Sequence, residues 1–526
     1  MTNRNLQPGA AGRYSLSRRS LFAGAGAATL FTIAGLPVGY ARAQAGGDGG
    51  GTLRFGLSAF PPNLHPFEYT GTAALTVKLT MHRGLLSYDA KGELRPELAS
   101  EWEQVDASTY RFRLSSDARF HDGSPVEAED VKWSFDWIAA SGSTAHLRLD
   151  FQSISAIEIE GTDKVTIRLQ KPSVTFAQTL ASGYAPIVSR KSQAPDFIGA
   201  GPFRFESSER GQSITVAKAP DFVRRDRPRV ERILFNAMPD ESLRNAALAS
   251  GDIDIIEYVS THHMKGIEEA EGTHIASVNG PFMYLVFNTT QGPTADARVR
   301  RAIGHAIDRG QLNAFAFTNA GSVIDGLPVH ASAAYDPALV KNRLTYDPDR
   351  ARALLSEAGA SNVTLEILST AQYPQHNDTA LVVQQSLAAV GINANLQLPD
   401  WATRVAQGNE GRYHIGINGT SGAYNDPDAV STWIAGGQSA SYNRPWGFAN
   451  EQIDALLQKG REIVDPAERA AIYAQIEEIF IEELPLLPLL WRPQAYGLRD
   501  RVKDFTPLPG FLSFQSALSL DDVALS

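Results

Sequence analysis

The chain has 526 residues, 43% hydrophobic and 20% charged, with a formal net charge of −10 and no cysteine. That length fills two or more cores, and the acidic balance speaks against a nucleic-acid partner. Missing thiols exclude disulfides, a lipid-anchoring cysteine, thiolate metal sites, iron–sulfur clusters and cysteine nucleophiles.

Residues 1–43 carry five arginines (Arg4, Arg13, Arg18, Arg19, Arg42) and no acid. Ser17-Arg18-Arg19-Ser20-Leu21-Phe22 precedes a small, mildly apolar run over 23–38, and Ala41-Arg42-Ala43 supplies a small-x-small cleavage site. That order reads as a twin-arginine export signal cleaved after Ala43, with the periplasm as destination. Residues 44–51, rich in glycine, read as a flexible spacer. Cleavage removes all five arginines and takes the formal charge to −15.

Residues 52–57 alternate as a short strand with Leu53, Phe55 and Leu57 on one face. A loop containing Tyr69 follows, then a helix over 72–82. The stretches 110–114 and 165–169 alternate apolar and polar, as strands with one wet face do. Between them lie a turn at Phe120-His121-Asp122-Gly123, whose histidine reads as architecture, and a helix over 127–140 turning Val131, Phe135 and Ile138 inward. Strands are expected at 201–205, 213–217 and 232–236. Asp240 caps a helix that Gly251 ends, and 252–259 returns as a strand.

The apolar, β-branched run 282–287 reads as a strand buried on both faces. Gly292-Pro293 breaks it, and Thr294 or Asp296 caps a helix reaching about 309, with Val299, Ile303, Ala306 and Ile307 on one face and Arg298, Arg300, Arg301 and Arg309 off it. Gly304 inside that helix implies close packing. Beyond it, strands at 363–368, 392–398 and 413–418 alternate with helices at 348–358, 378–390 and 400–406, the pattern of an α/β lobe. Helices from about 450 and 466 follow. Prolines 485 and 488 keep 484–491 from being helical, so it reads as a crossover.

The run 84–131, GLLSYDAKGELRPELASEWEQVDASTYRFRLSSDARFHDGSPVEAEDV, resembles the extracytoplasmic solute-binding proteins of peptide and nickel importers, solute-binding family 5. Gly201-Pro-Phe-Arg-Phe205, ALASGDIDII at 247–256 and 287–309 fit the same family in order and spacing. The resemblance implies an α/β, two-lobed periplasmic binding protein fold of type II: lobe I over 52–283 with a subdomain at about 91–200, lobe II inserted over 284–487, and 488–526 returning to lobe I. It implies a monomeric receptor without cofactor that delivers a small solute to an inner-membrane ABC permease with its ATPase subunits, opening and closing at crossovers near 279–288 and 484–492. Alternatives of the same fold are nickel or metallophore, sugar or opine receptors.

No G-x-S-x-G elbow, H-E-x-x-H, P-loop or dinucleotide fingerprint occurs after residue 43. His262-His263 points to two sides of most elements and is not expected to hold a metal. Abundant carboxylates leave a secreted hydrolase as the reading outside the binding proteins. The strand–loop stretch 413–428 offers backbone groups for a ligand: Thr420, Gly422, Ala423, Tyr424, Asn425 and Asp426 are candidate ligand-binding residues. Trp401, Tyr442, Asn443 and Trp446 join them, with Tyr69 from the opposite lobe. The resemblance implies that peptide-binding relatives hold the ligand ammonium with an aspartate four residues before the loop proline; here that position, before Pro427, is Ala423. Dipeptide-specific relatives add an arginine in the loop corresponding to 369–377, which has none here. The expected solute is therefore a longer peptide held by its backbone or a non-peptide such as a sugar or opine-like conjugate. Arg404, Arg412 and Arg444 are available to an acidic ligand, and Asp426 is the alternative amine anchor.

Overall fold

The structure is a computed structural model describing residues 51–193 and 195–526. The export signal expected at 1–43 and the spacer apart from Gly51 lie outside the described residues. Local signals set many element ends. Asp240 accepts from the Leu243 amide to start helix Glu241–Ser250, and Gly251, at φ 82°, stops it. Asp347 opens Pro348–Glu357 in the same way, with Pro348 in the first turn. Strands Thr52–Leu57, Thr109–Leu114, Lys164–Leu169 and Arg232–Ala237, and helices Thr72–Met81 and Ala128–Ala139, fall within a residue or so of the expected bounds.

Other bounds shift for physical reasons. The run 282–287 is only the end of a 15-residue strand, Thr273–Phe287; its first half has one wetter face, so hydrophobicity marks only the part buried on both faces. The expected strand 252–259 shrinks to Ile255–Ile256. The expected helix at 378 begins at Pro374, where the missing amide costs nothing in the first turn. The helix after Gly292 ends at Ala306, and Asp308 caps a second one, Arg309–Phe317. Arg300 and Arg309, expected off the buried face, are both buried. Arg300 folds back to donate to the carbonyls of Thr294, Ala295, Glu483 and Leu484, closing the free carbonyl end of helix Pro466–Glu483. At Gly304 a Cβ would stand 3.3–3.5 Å from Leu484, Leu344 and Leu487, the close packing expected there.

One eleven-stranded sheet runs through the molecule. Two long antiparallel strands, Thr273–Phe287 and Leu486–Arg499, cross its middle. Their Phe282–Val286 and Leu486–Trp491 ends pair together and join Ile415–Thr420, Thr364–Leu368 and Asn393–Gln397 in the second lobe. Their Thr273–Asn279 and Pro493–Arg499 ends join Ile255–Ile256, Thr52–Leu57, Arg232–Ala237, Ser213–Lys218 and Phe203–Glu209 in the first. The register shifts at Asn279/Phe282 and again at Met283/Tyr284, and Pro493 and Pro488 sit at those irregularities, where a missing N–H is tolerated. A separate four-stranded antiparallel sheet, Ala99–Asp106, Thr109–Leu114, Lys164–Leu169 and Ile154–Glu160, lies inside the span expected for the subdomain. After the second crossing the chain forms a buried 3-10 run, Gly510–Asp521. No helix among the described residues is long and apolar enough to span a membrane.

His121 is architectural. Its Nε2 lies 3.1 Å from the Gly201 carbonyl, and burial lowers its pKa to about 4. A histidine depressed below its unfolded value of 6.5 contributes stability that is present above 6.5 and lost as pH falls toward 4. In urea titrations the stability difference between wild type and His121→Asn should therefore shrink by up to about 3 kcal/mol between those pH values. A pH-independent difference would show that the imidazole is not held neutral.

Candidate functional site

The lobes meet over an aromatic cavity of about 20 Å³, walled by Tyr69, Gly71, Thr72, Tyr258, Tyr373, His376, Trp401, Gly419 and Tyr442. Both sides of the sheet crossing contribute. Tyr69 and Tyr258 come from the first lobe; Tyr373, His376, Trp401, Gly419 and Tyr442 come from the second. Trp401 is set by Asp400, which accepts from Thr403 N to start helix Trp401–Asn409. Its ring meets Tyr442 and Tyr373 edge-on at 5.5 and 5.2 Å, and Tyr258 lies 4.8 Å from Tyr373. Across the seam Tyr69 and Thr420 hydroxyls are 3.2 Å apart, Ser58 and Tyr373 hydroxyls 3.4 Å, and Gln372 Nε2 donates to the Ser58 carbonyl at 3.0 Å. Gly71, at φ 103°, lets the first-lobe loop close on Trp401; a Cβ there would stand 3.2 Å from the indole nitrogen.

Behind these walls lie two buried guanidiniums. Arg492 donates to the Tyr258 hydroxyl at 3.1 Å, and Arg404 lies 5.0 Å from the Tyr442 ring centroid and 5.6 Å from that of Trp401. Burial, reinforced by Arg404 and Arg492, pushes the pKa of His376 well below its ordinary value, so the imidazole is neutral. Burial likewise lowers the pKa of both arginines, which stay charged in the physiological range.

Of the residues singled out in the sequence, Tyr69, Trp401 and Tyr442 share this cavity, and Thr420 borders it through Tyr69. The loop beyond Thr420 is not free. The 3-10 run near the carboxyl end occupies it: Ser421 Oγ donates to the Phe511 carbonyl, Asn425 Oδ1 accepts from Phe511 N, and Gln515 Nε2 donates to the Ala423 carbonyl. Gly422 lies against the Phe511 ring, where a Cβ would come within 2.6 Å of Cγ. Tyr424 donates to Asp428. Asp426 accepts from Arg469 at 2.6 and 2.9 Å and caps the turn at Asp428, so its charge is already matched. Asn443 receives the Tyr284 hydroxyl on its carbonyl, and Trp446 packs over Gly411. Arg412 is exposed beside Glu410, and Arg444 donates to the carbonyls of Thr432, Ser439 and His146. Of those three arginines only Arg404 backs the cavity.

Sequence reasoning missed Tyr258, Tyr373, His376 and Arg492. Tyr258 holds a φ of 58°, uncommon for a bulky side chain, and nothing in its neighbours announces it. Arg492 stands at the end of the crossover identified from the prolines, which was the available signal.

Comparison with known proteins agrees with this architecture. The family model described as bacterial extracellular solute-binding proteins, family 5, middle region, matches residues 93–442. The periplasmic binding protein AgaA of Agrobacterium tumefaciens R10, solved in complex with agropinic acid, is 37% identical; the match covers 90% of this chain and 99% of that one, with a TM-score of 0.85. The glutathione-binding protein GsiB of Escherichia coli (strain K12) is 27% identical over 479 residues, 86% of this chain and 92% of the relative. The probable D,D-dipeptide-binding periplasmic protein DdpA of the same strain is 24% identical over 476 residues, 86% and 91% of the two chains. With its two-lobed fold and these matches along most of its length, the chain belongs to the family 5 bacterial extracellular solute-binding proteins.

Proposed function

We propose that the protein is a periplasmic receptor that closes on a small solute between its lobes and delivers it to an inner-membrane ATP-driven permease, with no bond made or broken. The observation that carries this reading is the cavity whose walls come from both lobes and sit beside two crossing strands. At about 20 Å³ that space takes little more than one water, so the lobes must part to admit a solute. The irregular pairing at Asn279–Tyr284 and the opposing Pro488 and Pro493 are the natural hinge.

Curated relatives named for dipeptides and glutathione support the peptide-importer class. A more specific observation favours an opine-like solute. Ala423 stands where an amine-holding aspartate is expected and Asp426 is matched by Arg469, which leaves no free acid in that loop for a ligand ammonium. The 37%-identical relative was solved with agropinic acid.

Calorimetric titration of the mature protein with agropinic acid, glutathione and dipeptides tests the proposal. One solute should bind at one site per chain and be recovered unchanged; its conversion would make the protein an enzyme. Export belongs to the same proposal. The secreted protein should begin at Gln44 by mass analysis, and replacing Arg18 and Arg19 with lysine should leave the precursor in the cytoplasm. Efficient export of the double-lysine form would contradict the twin-arginine route.

A further inference from the structure

Arg404 and Arg492 have less than 2% of their surface exposed, and among the described residues neither forms an ion pair with a carboxylate. Arg404 uses Nη2 for the Ile417 carbonyl and Asn418 Oδ1, and its Nε and Nη1 have no acceptor. Arg492 uses Nη1 for the Pro493 carbonyl and Gln494 Oε1 and Nη2 for Tyr258, and its Nε has none. Arg300, similarly buried, shows the contrast: its Nε and both Nη atoms reach main-chain carbonyls. A buried guanidinium without a matching charge is costly.

Nearby acids are committed elsewhere. Glu257 accepts from Ser58 N and Oγ and from Thr76 Oγ1, at 3.0, 2.8 and 3.1 Å. Asp426 and Asp428 are matched by Arg469 and Arg461. Gly419, in the cavity wall, is packed close to Arg492: a Cβ there would stand 2.9 Å from Met283 Sδ, 3.3 Å from His376 Nε2 and 3.6 Å from Arg492 Nη2.

We infer that the solute carries a carboxylate and that Arg492 and Arg404, buried behind the aromatic walls, hold it. The inference rests on the receptor reading and narrows it to anionic solutes. A carboxylate supplies the acceptors and the negative charge that the protein does not, and a guanidinium is the matching donor.

The test is a set of melting curves on the purified mature protein, wild type and the variants R492Q, R404Q and R492K. Each is measured alone and with matched pairs: agropinic acid, mannopinic acid, glutathione and alanyl-alanine, each beside its carboxamide. The inference predicts that any member raising the wild-type melting temperature does so only as the acid. It predicts affinity at least about 100-fold weaker in R492Q and R404Q, with R492K keeping part of it. It also predicts that the glutamine variants, measured alone, melt no lower than wild type, because each has lost an unmatched buried charge. A carboxamide binding as well as its acid, or R492Q binding as tightly as wild type, would overturn the inference and leave the receptor reading standing. Silence of the whole panel would count against the receptor reading for these solute classes. The variants measured alone would then decide the inference: melting well below wild type makes both arginines structural and overturns it, and unchanged melting upholds it.

Discussion

Replacing Arg461 with methionine is expected to destabilise the protein by about 3–5 kcal/mol. Arg461 donates through Nε to both oxygens of Asp428 at 2.8 and 2.9 Å and approaches Asp150 at 3.9 Å. Asp428 has no side-chain exposure, and its other partners are the Tyr424 hydroxyl and, at 3.4 Å, that of Thr175. Burial alone would lower the Arg461 pKa, but Asp428 and Asp150 outweigh it and raise it. Removing the cation strands a carboxylate that lies where the second-lobe loop meets first-lobe residues Asp150 and Thr175. Denaturant titration should show the full deficit at neutral pH. The double variant R461M/D428N should recover most of it. A loss under about 1 kcal/mol would place the pair with exposed ion pairs of little consequence.

Replacing Phe511 with alanine is expected to cost about 3–5 kcal/mol. The ring is buried against Gly422 and lies 5.9 Å from Trp491, 6.2 Å from Trp433 and 5.5 Å from His330. Its backbone accepts from Ser421 and donates to Asn425, so the lost ring also loosens the clamp on that loop. Calorimetric melting should show a large fall in Tm. A shift within a degree or two of wild type would mean that this segment packs only weakly on the loop.

The parts of the fold governed by local chemistry were legible in the sequence. Asp240 with Gly251 and Asp347 with Pro348 act within four or so residues. Crossover prolines and the doubly buried run 282–287 likewise marked stretches that the structure pairs as its two long strands, Leu486–Arg499 and Thr273–Phe287. Pairings that span the whole chain were not legible. Asn425 finds Phe511 86 positions away, and Arg492 finds Tyr258 234 positions away. A glycine- and asparagine-rich loop looks free until the carboxyl-terminal segment is seen lying on it. His376 reads as part of an irregular loop because the helix starts at Pro374, earlier than the expected 378. In sequence Arg404 and Arg412 look equally available to an acidic ligand; only the buried, partly unpartnered guanidinium of Arg404 separates it from Arg412, exposed beside Glu410.

The most direct test of the receptor account is small-angle scattering of the mature protein with and without saturating agropinic acid, saturation being established beforehand by calorimetry. Closure of two lobes over an interlobe cavity predicts a smaller radius of gyration with the solute than without it. Saturation with an unchanged scattering curve would contradict hinge closure around the crossing strands.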